Sequence, residues 1–424
     1  MTDTGTDGGR RDQLVKSQYE AYPYPERKPA DEKKRLITGS PSNLVELNHY
    51  VFGGRRDLTK PLSVLVAGGG TGDAAIMLAQ QMTDLGVPGE VVHLDQSEPS
   101  QTIAQERAQV RGLDNIRFVR GSLLDVADIA PGPWDYIDCC GVLHHLEDPD
   151  AGLAALTGVL TPDGGLGVMV YGALGRTGVY DVQDMMAVLA PPGDGDDKAR
   201  VALTRRLVDS LPATAWLNRN GLVRDHKEGG DPGLYDLFLH ARDRAYRVPE
   251  MAALAASAAL RLVTFVEPYR YDPRYLVRDP QLKKALAEFD MLERAAFAEL
   301  YLGNQKQHVF YAVRVENSVV PPSPDTPEAI PILIALTPEN AATQMPAGGK
   351  ITVAMEGHKM EMAVPPLSRA IVALCDGQRD LAAIHGVIQE KRADLSYDAF
   401  KRQFDQFYGV MNAINRMVLR APAG

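Results

Sequence analysis

The run Val64-Leu65-Val66-Ala67 contains no polar position, the pattern of a strand buried on both faces of a parallel sheet. After Asp73 the period changes. Ala75, Leu78, Ala79 and Met82 recur at i, i+3, i+4 and i+7, which predicts one apolar face of a helix, and Gly86 stands where a glycine would end it. Between strand and helix lies Gly68-Gly69-Gly70-Thr71-Gly72, a turn that uses the freedom of glycine at positive φ. Strand, glycine turn and helix in that order bring backbone N–H groups to a ligand at the helix N-terminus, a nucleotide-type site.

The alternation continues. Glu90 to Asp95 predicts a second strand that ends in a carboxylate, and Ser97 to Arg111 a helix stopped by Gly112. Ile116 to Arg120 and Trp134 to Cys140 predict strands three and four, Asp150 to Leu160 a helix closed by Pro162-Asp163-Gly164-Gly165, and Leu166 to Tyr171 strand five. Residues 172 to 250 interrupt the pattern as a helical insertion with an acidic loop at Gly193 to Asp197. A helix (Pro249 to Ala259), strand six (Leu260 to Val266) and a last strand (His308 to Val315) follow. The expected fold is α/β, a doubly wound sheet with its ligand crevice at the C-terminal ends of the strands.

Both ends lie outside this pattern. Residues 1 to 12 are rich in Gly, Asp and Thr and are expected to be disordered, and residues 43 to 52 predict a short helix. Between them, Ser17 to Pro25 sets Tyr19, Tyr22 and Tyr24 around Pro23 and Pro25, a stiff extended segment. It reads either as an arm on a core face or as a lid that keeps water from a cofactor pocket. Residues 1–60 thus form an N-terminal arm, 61–316 the main domain, 317–331 a Pro/Ser-rich linker, and 332–424 a small α+β unit. That unit combines a hairpin around Gly357 with three helical patterns, Leu367 to Cys375, Leu381 to Lys391 and Tyr397 to Arg416. The arrangement suggests a winged-helix-like module. Its near-balanced charge favours a homodimer contact or a protein partner over DNA.

Composition narrows the classes. The 424 residues carry a net charge of −10, which argues against a general nucleic-acid binder. Three cysteines, two of them adjacent, imply a reduced, cytoplasmic protein without a disulfide framework. No metal-ligand spacing is present, so no metal is expected, and no apolar run reaches the roughly 18 residues of a membrane span. Asp73 occupies the position of the third glycine of a dinucleotide loop. An acid there opposes a pyrophosphate but tolerates a ligand carrying an amino group and a sulfonium.

The loop Ala67-Gly68-Gly69-Gly70-Thr71-Gly72, Asp95, and Trp134-Asp135-Tyr136 continuing to Val142-Leu143-His144-His145-Leu146 together resemble the class I S-adenosylmethionine-dependent methyltransferases, over about residues 60 to 172. The resemblance implies a seven-stranded Rossmann-like sheet whose last strand inserts antiparallel between strands five and six. It implies S-adenosylmethionine as cofactor. Gly68, Gly70 and Gly72, within the loop Ala67 to Gly72 that includes Gly69, would line the methionine moiety. Asp95 would hold the ribose with Gln96 beside it, Ser122 and Leu123 would flank the adenine, and a carbonyl at Cys139 or Cys140 would receive the ammonium. Two positions depart from the family: Val66 replaces the usual acid before the loop, and Ser122 replaces the usual Asp. No Asn-Pro-Pro-Tyr run follows strand four, which speaks against methylation of exocyclic base nitrogens. The stretch from Asp236 through Tyr246 to Pro268 also resembles the regulatory domain of a bacterial methyltransferase group that includes protein-lysine methyltransferases.

Methyl transfer from a sulfonium is an in-line displacement, so alignment and exclusion of water carry most of the catalysis. His144 and His145, just after strand four, are candidate bases, or else pack against the sheet. Tyr22, Tyr24, Tyr171 and Tyr180 are candidates to line the acceptor pocket, or else core aromatics, and Arg176 is a candidate partner for an acceptor carboxylate. The expected acceptor is an N or O nucleophile, first a lysine-like amine of a protein or peptide, next a small molecule. The alternative of another class is a regulator that binds S-adenosylmethionine without turnover. A nicotinamide-dependent dehydrogenase is disfavoured by Gly72-Asp73.

Overall fold

The computed structural model describes residues 14–15, 17–192 and 196–422. The stretch predicted to be disordered and the first three residues of the acidic loop, 193–195, lie outside the described residues. A short helix, α1 (Leu44–Tyr50), precedes the sheet, and strands then alternate with helices: β1 (Leu62–Ala67), α2 (Asp73–Leu85), β2 (Gly89–Asp95), α3 (Glu98–Arg111), β3 (Ile116–Arg120), β4 (Trp134–Cys140), α4 (Pro149–Gly158) and β5 (Leu160–Tyr171). The insertion contributes α5 (Val179–Leu189), α6 (Asp197–Ser210) and α7 (Gly230–Phe238) before α8 (Val248–Ser257), β6 (Leu260–Phe265), α9 (Met291–Leu302) and β7 (Gln307–Arg314). The sheet order is β3-β2-β1-β4-β5-β7-β6. β7 runs antiparallel to both neighbours, as expected from the resemblance.

Burial follows the sequence pattern. Val64 and Val66 join α1 and α2 in one core, while Leu65 and Ala67 face α4, α8 and α9 in the other. Ala75, Leu78, Ala79 and Met82 are fully buried, and Gly86 caps α2 at φ 64°. Strand five corrects the expected boundary. It begins at Leu160, and the residues read as a turn run on through a register shift opposite Trp134 and Tyr136.

The C-terminal region departs further from expectation. Ile330 and Pro331, read as linker, open β8 (Ile330–Leu333), which pairs antiparallel with β11 (Met417–Arg420). Between them come α10 (Pro338–Gln344), the hairpin β9 (Gly349–Met355) and β10 (His358–Val364), then α11 (Ser368–Val372), α12 (Leu381–Gln389) and α13 (Tyr397–Ala413). The unit is not separate from the main domain. Ile334 and Val418 sit in the same core as Leu44, Leu47 and Tyr50, and His49 Nδ1 lies 2.7 Å from the Leu419 carbonyl. Tyr269, Leu276 and Ala298 are buried among the C-terminal helices. No helix among the described residues is long and apolar enough to cross a membrane.

Candidate active site

The glycine loop is held by what a side chain would strike. Gly68, Gly70 and Gly72 have φ of 74°, 51° and 101°, conformations that L side chains rarely adopt. A Cβ on Gly68 would lie 2.4 Å from Val142 beyond β4, one on Gly69 2.4 Å from the His93 ring, and one on Gly72 2.8 Å from Ala104 of α3. The loop is therefore pressed between β2, β4 and α3. Asp95 fixes its tip: Oδ2 accepts from the Gly70 N–H at 2.7 Å and Oδ1 from the Ser97 N–H at 2.8 Å. Each carboxylate oxygen keeps a second lone pair, enough for the two hydroxyls of a ribose. His93 donates Nε2–H to the Gly70 carbonyl at 3.0 Å, and burial pushes this imidazole below its ordinary range.

Around this loop, Ala67 is buried and Gln96 is exposed. Ser122 Oγ accepts from the Leu124 N–H at 3.2 Å, which leaves its own proton for a ligand. Leu123 turns into the core, so only its backbone is available at the crevice. Cys140 is half-buried, and burial pushes its thiol well above the ordinary range, so it is no nucleophile.

The N-terminal arm lies on the loop. Residues 17–21 are helical, not extended, because proline restricts only itself and the residue before it, and these five precede Tyr22-Pro23. Thr71 Oγ1 donates to the Pro25 carbonyl at 2.8 Å, and Ser97 Oγ donates to the Tyr19 carbonyl at 3.1 Å. The Tyr24 carbonyl lies 3.0 Å from where a Cβ of Gly70 would be. Asp73 accepts from Arg27 at 2.6 Å and from the buried Arg107 at 2.7 Å, and Arg107 also grips Glu32. Burial alone would raise the Asp73 carboxyl, but the two guanidinium groups outweigh it and hold it below the ordinary carboxylate range. This acid docks the arm.

Beyond β4 and β5, side chains from four segments converge. Tyr171 OH donates to Asp236 Oδ2 at 3.1 Å, and Tyr19 OH lies 3.2 Å from His240 Nε2. His145 stacks on His240 with ring centres 3.8 Å apart, and its Nδ1 lies 2.8 Å from the Arg242 carbonyl. A carbonyl only accepts, so Nδ1 carries the proton and Nε2 the lone pair. His144 is buried, and neither ring nitrogen has a hydrogen-bond partner among the described residues. Burial first, then its histidine neighbours, push His144 and His240 well below the ordinary imidazole range, and burial raises Asp236.

His145, Asp236 and His240 offer ligand atoms within 4.8 Å of one another, a constellation the sequence spacing did not show. Its hydrogen bonds divide. His145, with Nδ1–H on a carbonyl, has the outer shell of a metal-bound histidine, and Asp236 is braced by Tyr171. His240 does not fit. Its Nδ1 accepts from the Arg242 N–H at 3.1 Å, so the neutral ring carries its proton on Nε2, the atom that would have to ligate. The cluster is a hydrogen-bonded one.

Of the expected acceptor residues, Tyr171 lies in this cluster and Tyr24 is half-buried within electrostatic reach of Asp236. Tyr22 stacks on Tyr235 at 5.0 Å within the core of the insertion, so it anchors the arm there instead. Arg176 is not open to an acceptor carboxylate, because it is buried, pairs with buried Asp243 at 2.7 Å and lies 3.8 Å over the Tyr171 ring; Tyr180 is the next ring, at 5.7 Å. Tyr19, Asp236, His240 and Asp243 were not singled out as site residues. Asp236, His240 and Asp243 stand in the stretch of the second resemblance.

A family model described as "Methyltransferase domain" matches residues 65–166. An uncharacterised protein from Synechococcus sp. is 34% identical over 269 residues, covering 62% of this chain and 61% of that protein. The tRNA 5-carboxymethoxyuridine methyltransferase of Escherichia coli (strain K12) is 36% identical over 115 residues, 27% of this chain and 42% of that enzyme. The chain thus spans less than two thirds of the length of the curated relatives it matches. Among solved structures, PKMT2 from Rickettsia typhi in complex with AdoHcy superposes with a TM-score of 0.60 at 15% identity, covering 90% of this chain and 75% of that one. With the glycine loop, the acid that ends β2 and the antiparallel seventh strand in place, residues 65–166 match a methyltransferase domain and the chain shares the fold of the PKMT2 structure.

Proposed function

We propose that the protein transfers a methyl group from S-adenosylmethionine to an amine on a protein or peptide side chain, a lysine-like acceptor. One observation carries the reading: Tyr19 joins the two halves of the site, its carbonyl on Ser97 next to Asp95 and its hydroxyl at His240 and Asp236. The residues fit the cofactor. Gly68 to Gly72 would cradle its amino-acid end, Asp95 would take the ribose hydroxyls, and the arm would cover it. When bound, S-adenosylmethionine supplies an electrophilic methyl on a sulfonium.

The chain's own groups supply the rest. Tyr24 and Tyr19 offer aromatic faces to an alkyl ammonium, which attracts such rings, while Tyr171, its ring covered by Arg176 and His144, braces Asp236 through its hydroxyl. Asp236 adds a carboxylate at the same place. His145 Nε2 accepts the proton that the ammonium must lose before its nitrogen lone pair can attack. The arm, held by Arg27 on Asp73, keeps water from the reacting atoms. A small carboxylate acceptor is the weaker reading, because Asp243 already neutralises Arg176. The likeness to the tRNA enzyme covers only 27% of this chain.

The test is incubation with methyl-labelled S-adenosylmethionine and protein extract, followed by mass spectrometry of labelled peptides. Methylated lysines support the proposal. Label confined to small molecules or RNA, or no label at all, contradicts it.

A further inference from the structure

Between the sheet and the C-terminal unit lies a cavity of about 410 Å³ that shares no residue with the glycine loop or the histidine cluster. Glu46 of α1, Glu267 and Arg270 beyond β6, and Ala335, Asn415 and Arg416 of the C-terminal unit form much of its wall. We propose that this cavity is a second small-molecule site and that it takes a zwitterion of the α-amino-acid class.

Three observations point there. Asn415 is buried, and its Nδ2 donates to Glu46 at 3.1 Å and to Ser40 Oγ at 3.2 Å, which fixes the orientation of the amide. Its Oδ1 then has no partner among the described residues, a buried acceptor waiting for a donor. Next, five non-glycine residues among those described have positive φ, and three of them, Glu267 at 58°, Ala335 at 55° and Asn415 at 53°, stand on this one wall. Such strained backbone gathers at ligand sites.

The third observation is charge. Glu46 is satisfied by Ser40, Tyr311 and Asn415, and Arg270 by Glu267 and Glu356. Arg416 is different. It is exposed at the rim, its guanidinium donates to the Asn415 carbonyl, and although its charge acts through space on Glu46 and Glu267 it has no carboxylate within ion-pairing range among the described residues. An open cation therefore adjoins an open acceptor on consecutive residues. A carboxylate and an ammonium on one carbon match that pair. A simple amine would leave Arg416 without an ion pair, and a dianion would meet Glu46 and Glu267. The volume lies within the range of roughly 300–1,000 Å³ usual for small-ligand pockets.

The site is tested by calorimetric titration of the full chain with pools of the twenty common L-amino acids, with and without saturating S-adenosylhomocysteine, each positive pool being resolved into single compounds. The proposal expects saturable binding that persists with S-adenosylhomocysteine present and weakens at least tenfold in Asn415→Gly and Arg416→Gln. Glycine accepts the left-handed backbone at 415, so the first variant keeps the fold. Gly39→Leu adds bulk to the cavity wall without a clash at Cβ and is expected to weaken binding, and an unchanged melting temperature would show the variant folded. No heat from any pool, binding abolished by S-adenosylhomocysteine, or equal affinity in Asn415→Gly and Gly39→Leu would each overturn it. Because no methyl transfer enters the measurement, its failure is separate from failure of the proposed activity.

Discussion

His145 donates its Nδ1–H to the carbonyl of Arg242 over 2.8 Å, and this one bond makes Nε2 the basic nitrogen of the ring. If that nitrogen takes the acceptor proton, His145→Ala lowers kcat by about 10²–10⁴ at saturating cofactor. Its affinity for S-adenosylhomocysteine stays unchanged. Single-turnover rates with a labelled peptide give the answer, and wild-type turnover in the variant removes the base.

The adjacent histidine should behave in the opposite way. Both nitrogens of His144 are buried and without a partner among the described residues, so replacing the ring by phenyl removes two unsatisfied polar atoms. His144→Phe is expected to stay within about 1 kcal/mol of wild-type stability, whereas His144→Ala, which opens a cavity, costs about 2–4 kcal/mol. Urea unfolding of both distinguishes a packing role from a polar one.

Burial raises the Asp138 carboxyl, beneath the Ser42 hydroxyl at 2.6 Å, from its ordinary 3.8 to about 6. A carboxyl raised in the folded state favours folding while protonated. Its contribution is whole below about pH 4 and is lost as pH rises through about 6. Asp138→Asn should therefore be more stable than wild type by about 2–3 kcal/mol at pH 8, with the gap closing below about pH 4. A pH series of melting curves with no such convergence contradicts the assignment.

Gly72 combines φ of 101° with a Cβ position 2.8 Å from Ala104. Strain and clash together predict that Gly72→Ala loses about 2–4 kcal/mol of stability and weakens cofactor binding. Gly86→Ala has the same class of positive φ but open space around it, and is expected to lose about 1 kcal/mol with binding intact. Denaturant midpoints of the pair separate the two costs.

What the sequence shows and hides follows from range. The β1–α2 unit and Asp95 are legible because strand, turn, helix period and terminal acid are written within a few dozen residues. The closure of the site is not. Asp236 and His240 meet His145 across more than ninety positions, from the end of an insertion helix and the loop that follows it. The pairing of β8 with β11 spans a similar distance, and Pro331 disguised β8 as linker although proline is tolerated on a short edge strand. Arg176 reads as an open cation until Asp243, 67 positions away, is seen to neutralise it.

The most direct measurement is calorimetric titration of the wild-type chain and of Asp95→Ala with S-adenosylhomocysteine. The account predicts one site per chain in the wild type and, with hydrogen bonds to a charged group lost, affinity about 10–1,000-fold weaker in the variant. No heat from the wild type, or equal affinity in the two proteins, would contradict it.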